Sequence, residues 1–167
     1  MNLSDNLPQV EYFDFEKDFM EDNIRCIPMI VRFKLDACGI KLKLKEWSKM
    51  NQEEREKLAI LPIDASGQLN AYRNYVELAI VRNTGETPTL LPADQRNLLW
   101  SETSEIPLPV LMKLEELNQE ISLEQWRSLS ALKRYALLKL TRPGHENRNF
   151  PKAVKEFGLA TWDRQRD

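Results

Sequence analysis

The residues best suited to chemistry stand together at Arg142-Pro143-Gly144-His145-Glu146-Asn147-Arg148-Asn149-Phe150, where eight of nine positions are polar groups or turn formers. Arg142, His145 and Arg148 can form a basic surface at a helix N-terminus, suited to a carboxylate or phosphate on a partner. The same string also suits a plain turn. Arg142 would then face the carbonyl end of the preceding helix, and Asn149 would cap the next one with Pro151 in its first turn. Catalytic constellations are thin. A single histidine excludes a two-histidine metal site, and a zinc site would have to recruit Cys26, Cys38, His145 and a carboxylate from distant positions. There is no glycine-rich phosphate loop, no Gly-x-Ser-x-Gly elbow and no metalloprotease helix motif. A nucleophile pair of Cys26 or Cys38 with His145 stays open, as in any chain holding both residue types. No catalytic residue, metal ligand or cofactor is assigned, and the chain is expected to bind another protein rather than to catalyse.

Such a surface needs elements to hold it, and the sequence supplies them twice. A shift of 79 residues superposes Ile27-Pro28 on Ile106-Pro107, Val31 on Val110, Lys34-Leu35 on Lys113-Leu114 and Leu44 on Leu123. Trp47 falls on Trp126, Arg55 on Arg134, Leu58 on Leu137 and Leu61 on Leu140, ten identities over 27–61 without a gap. The punctuation is shared as well. Pro28 and Pro107 suit the first turn of a helix. Gly39 and Asn118 suit a left-handed stop, and Asn51 and Ser130 suit N-caps. Asn51 with Glu54, and Ser122 with Gln125, read as capping boxes. Each copy therefore reads as helix, turn, helix, helix.

Between the copies, Asp64 or Ser66 can cap a helix with the stripe Leu69, Tyr72, Tyr75, Val76, Ala79 and Ile80, ending at Asn83-Thr84-Gly85. A loop with Pro88 and Pro92 follows. A last helix spans about 149–157 and stops at Gly158. Only Tyr12 to Phe15 suggests a short extended entry. The fold class is all-α: a single compact helical domain over 11–160 with two pseudo-repeated modules at about 27–61 and 106–140. A flexible N-terminus (1–10) and a polar tail (161–167) flank it. Trp47 and Trp126 are expected in the core, and Lys34 and Lys113 are expected to snorkel out of it. Trp100, in the Pro-bounded loop, is the candidate interface anchor.

Charge is uneven although the formal total is −2. Glu11 to Asp22 holds six acids against Lys17, Arg25 to Lys45 six bases against Asp36, and Arg127 to Lys155 eight bases against Glu146. Such runs suit solvated helix faces or a docking face for an acidic partner, with Arg25 and Arg32 as candidates. The small total charge gives no strong pull toward nucleic acid. No stretch reaches the ~20 apolar residues of a membrane helix, and residues 1–10 show no secretory signal. Two cysteines without a framework suit reduced thiols. The expected location is the cytoplasm, with neither nucleic acid nor membrane as partner.

Three strings carry a family resemblance: Phe13-Asp14-Phe15-Glu16-Lys17-Asp18-Phe19, then Arg25-Cys26-Ile27-Pro28-Met29 leading to Val31-Arg32-Phe33-Lys34-Leu35-Asp36, and Lys139-Leu140-Thr141 running into 142–150. Together they resemble the nitrate-reductase-associated protein family of the cyanobacterial type, over roughly residues 11–160. The resemblance implies an accessory factor that binds assimilatory nitrate reductase, a molybdenum and iron–sulfur enzyme, and supports its maturation, stability or activity. The alternative is a small enzyme or carrier that acts on a molybdenum-cofactor intermediate through Cys and His. The family supplies no catalytic residues. The expected binding residues are Arg142, His145, Glu146, Asn147 and Arg148, with Arg25, Arg32 and Trp100.

Overall fold

Prolines and left-handed residues mark where the helices begin and end in the computed structural model, which describes residues 11–20, 26–92 and 99–161. The described chain is mainly helical, as expected, and it divides into two compact units, Met1–Arg96 and Asn97–Asp167. One copy of the 79-residue correspondence falls in each.

The first unit contains α1 (Asp14–Met20), α2 (Met29–Cys38), β1 (Ile40–Lys41), α3 (Leu44–Lys49), α4 (Gln52–Ile60), α5 (Gln68–Thr84) and β2 (Thr89–Leu90). Pro28 stands at the N-cap of α2, and Gly39 ends that helix at φ 76°, a conformation that costs glycine nothing. β1 and β2 pair antiparallel, Ile40 opposite Leu90 and Lys41 opposite Thr89. Strands this short leave no period-two signal, so neither was anticipated. The expected extended entry at 12–15 is shorter than thought. Asp14 and Phe15 are already helical because the Glu16 carboxylate accepts the Phe13 N–H at 3.1 Å and closes the first turn.

The first unit's core gathers Val31, Leu35, Ile40, Trp47, Leu58, Tyr72, Val76 and Ile80, each at most 4% exposed. The stripe read on α5 is only partly inside. Tyr72, Val76, Ala79 and Ile80 are buried, Tyr75 is half-buried and Leu69 is exposed. The N-cap of α5 is Gly67 at φ 81°, not Asp64 or Ser66. Glu54 joins α4 to α5: its carboxylate accepts Arg82 Nε at 3.0 Å and Asn83 Nδ2 at 2.9 Å, besides the Asn51 N–H of its own capping box.

The second unit contains a 3-10 turn at Leu99–Ser101, then α6 (Leu108–Glu116), α7 (Leu123–Ser128), α8 (Ala131–Leu140), a second 3-10 turn at His145–Asn149 and α9 (Phe150–Glu156). Val110, Leu114, Trp126, Tyr135, Leu137, Leu140, Phe150 and Val154 are its inward residues, all at most 2% exposed. Residues 79 apart do the same local work in both units. Pro28 and Pro107 are N-caps, and Trp47 and Trp126 are wholly buried. The Asn51 side chain accepts the Glu54 N–H, and that of Ser130 accepts the Lys133 N–H. Asn118, at φ 52°, replaces Gly39 as the left-handed residue.

Candidate functional site

The polar string forms the corner between α8 and α9. Thr141 Oγ1 donates to the Leu138 carbonyl at 2.6 Å, and the Arg142 N–H donates to Lys139 O at 3.3 Å. Pro143 has no N–H with which to extend the helix. Gly144 follows at φ 132°, where L side chains are strained. The chain then enters the 3-10 turn with the Asn147 N–H on Gly144 O at 3.2 Å.

The capping reading holds for position but not for the groups involved. Asn147 Nδ2 donates to the Thr141 and Arg142 carbonyls at 3.5 and 3.3 Å, so Asn147 closes the end of α8 where Arg142 was expected to act. Asn149 occupies the N-cap of α9, with Pro151 in the first turn, but its side chain makes no cap bond. Arg142, Pro143, Gly144 and Arg148 are left exposed. His145 and Glu146 lie in the same turn, and their side chains fall outside the described residues.

A second feature adjoins this corner. Val110 and Leu114 turn α6 inward, which leaves Leu108 66%, Leu111 41% and Met112 57% exposed. These three sit at i, i+3 and i+4 and so share one helix face. Leu108, Pro109, Met112, Lys113 and Glu116 form one wall of a groove of about 450 Å³, and Thr141, Pro143 and Asn147 form the other. On its other flank α6 borders a depression of about 710 Å³, lined by Leu111, Glu115, Gln119, Ile121 and Thr161 among others. The sequence reading missed this face. Its signal was the run Leu108-Pro109-Val110-Leu111-Met112, five successive apolar residues, more than one side of a helix can bury.

The other expected site residues are placed differently. Trp100 is half-buried with its ring edge-on to Tyr135, centroids 6.2 Å apart, and its carbonyl accepts Arg134 Nε at 2.8 Å. Arg32 is half-buried on α2 in the first unit, with Nη1 3.9 Å from Met29 Sδ. Arg25 lies outside the described residues. The structure therefore brings Asn147, with Thr141 and Pro143 of the same corner, to the groove beside α6, leaves Arg142 and Arg148 exposed on that corner, and places Arg32 in the other unit.

The thiols differ from each other. Cys38 is buried, its Sγ donates to Leu35 O at 3.3 Å, and burial pushes its pKa up, the opposite of an activated nucleophile. Cys26 is half-buried, and its Sγ donates to the Ile27 carbonyl at 3.7 Å. Lys34 does not snorkel outward. Its ammonium donates to the Ala59 and Leu61 carbonyls at 2.7 Å each, at the end of α4, and burial lowers its pKa despite Asp64. Lys113 instead meets Glu116 at 2.6 Å near the surface. Among the described residues no three of His, Cys, Asp and Glu gather as a metal-holding group. No helix among them is long and apolar enough to cross a membrane.

Against known proteins, residues 12–157 match the sequence model of a family described as conserved nitrate reductase-associated protein. No curated protein and no solved structure matches the chain.

Proposed function

The chain belongs to the conserved nitrate reductase-associated protein family, and from that premise we propose that it is an accessory factor that binds assimilatory nitrate reductase in the cytoplasm. In this reading it supports the reductase's maturation, stability or activity without itself being the catalyst or holding a cofactor. The observation that carries the reading is the apolar outer face of α6 beside an exposed basic corner. Leu108, Leu111 and Met112 lie open to solvent, and Thr141, Pro143 and Asn147 of the corner bearing Arg142 and Arg148 share a groove with that helix. An apolar centre with a polar, arginine-bearing rim is how protein interfaces are built. The arginines can meet carboxylates on the reductase, and the apolar side chains exclude water from the contact.

The test is recovery of the tagged protein from cells grown on nitrate, with the bound fraction assayed for nitrate reductase activity and molybdenum. Co-purification is the expected result. Deletion of the gene should also lower reductase activity in the extract. If deletion leaves both activity and the reductase's cofactor content unchanged, the reading is wrong.

A further inference from the structure

The helices α2 and α6 are counterparts, since Pro28 and Pro107, Val31 and Val110, and Leu35 and Leu114 stand 79 apart. Their inward faces are alike, with Val31 and Val110 wholly buried and Leu35 and Leu114 nearly so. Their outward faces differ. Met29 is 3% exposed, and Arg32 and Phe33 are half-buried. The corresponding Leu108, Leu111 and Met112 are 66%, 41% and 57% exposed.

At the α2 end, α1 is bonded to the start of the helix through Glu16. Phe13 and Phe15 stack with centroids 5.2 Å apart, and both are buried. The Glu16 carboxylate, 4% exposed, takes the Phe13 N–H on one oxygen and the Met29 N–H on the other. One side chain thus closes the first turn of α1 and the open N-terminal end of α2 together. The second copy has no such string, because the positions 79 beyond Phe13, Phe15 and Glu16 are Pro92, Asp94 and Gln95. Nor is the end of α6 capped: Pro107 offers no side-chain bond, and the Leu108 N–H has no acceptor among the described residues.

We propose that the outer face of α6 docks a short helical segment of a partner protein that carries two aromatic residues and a glutamate spaced as Phe13, Phe15 and Glu16 are. The rings lie over Leu108 and Met112, and the carboxylate takes the Leu108 N–H. Charge favours the glutamate: the helix N-terminus is the positive end of its dipole, and the exposed Arg142 lies in sequence between Thr141 and Pro143, which line the facing wall of the groove. A second copy of this chain is a poor occupant, since its own Phe13, Phe15 and Glu16 are already buried and Glu16 is bonded to its Met29. The inference goes beyond the proposed function, because it holds whichever protein carries the segment.

The probe is a fluorescent peptide with the sequence of residues 11–20, titrated into the full-length protein and read by anisotropy, with light scattering in parallel. Saturable binding is expected. Leu108→Glu should weaken it at least about tenfold, with melting temperature unchanged because Leu108 is exposed. Replacing the peptide's glutamate by glutamine should weaken it by roughly threefold to tenfold. Absence of binding, or binding indifferent to Leu108→Glu, overturns the proposal; in the second case the peptide has replaced α1 on α2. Self-association that Leu108→Glu abolishes, without peptide binding, also overturns it and assigns the face to a second copy. Peptide binding with no reductase in the cellular pull-down would defeat only the proposed function.

Discussion

Arg55 and Arg134 make the same bond in the two units: Nη1 reaches the carbonyl five residues back, Met50 at 2.9 Å and Leu129 at 2.5 Å. Each thereby ties the start of one helix to the end of the one before it, since Met50 and Leu129 are the C-caps of α3 and α7. The second bond separates them. Arg134 Nε donates to the Trp100 carbonyl at 2.8 Å, whereas Arg55 Nε is buried with no acceptor.

The two arginines should therefore differ in what they contribute. Arg134→Met loses two bonds and frees the turn at 99–101, at a cost of about 2–3 kcal/mol. Arg55→Met loses one bond but also deletes an unmet buried donor, and keeps its stem beside Trp47. It should cost about 1 kcal/mol or less. Urea unfolding of both variants checks the order; an Arg55 variant as damaged as the Arg134 variant contradicts it.

A similar contrast holds for Lys34 and Lys113. Lys34→Met should cost about 1–3 kcal/mol, because two carbonyls at the end of α4 lose their donor. Lys113→Met removes a surface pair with Glu116 and should cost under about 0.5 kcal/mol. The pH dependence has a definite sign. Burial lowers the Lys34 pKa from 10.5, so the folded protein sheds this proton before the unfolded chain does. Stability should rise with pH in the window just below 10.5. Denaturation midpoints across that window should lose this rise in Lys34→Met.

These pairs mark what the sequence could and could not tell. The caps at Asn51, Ser122 and Ser130, the stops at Gly39 and Asn118, and the buried Trp47 and Trp126 depend on neighbours within a turn or on simple hydrophobicity. Local pattern therefore sufficed for them. Lys34 was misread because its acceptors, Ala59 and Leu61, are more than twenty residues away. The corner at 142–149 was recognised as a turn between helices, yet its capping group is Asn147, chosen by the exact path of the backbone after Gly144. The α6 face was hidden for a different reason. A helix shows its apolar residues in the sequence, but which of them stay uncovered is decided by what the rest of the chain packs against them.

Tyr12 gives a prediction in the opposite direction. Its hydroxyl is buried without a hydrogen-bond partner. Burial first, then the charges of Glu16 and Glu56, pushes its pKa up from 10.0 to about 12. Tyr12→Phe should raise stability by roughly 1 kcal/mol by deleting an unsatisfied group. Because the folded pKa is raised, Tyr12's contribution to stability is fully present below 10 and is lost as pH climbs toward about 12. Thermal melts of the two proteins at neutral pH, and across this alkaline window, test both statements. A destabilised phenylalanine variant would mean that the hydroxyl has a partner after all.

At the corner itself, structure and binding should separate. Asn147→Ala removes two long bonds to the end of α8, and should lower stability by about 0.5–1 kcal/mol. Arg142→Glu and Arg148→Glu alter exposed side chains and should leave the melting temperature within a degree or two, roughly the ±0.5 kcal/mol of surface changes. Reversing both charges turns a basic rim acidic, and recovery of nitrate reductase should fall at least about tenfold, with the loss shrinking as salt is raised. Unchanged recovery with both charges reversed would move the contact off this corner. A large fall in melting temperature would instead make the arginines part of the fold. Only a loss of partner at constant stability fits a binding surface, because capping groups and core residues cannot be reversed in charge without unfolding the elements they hold.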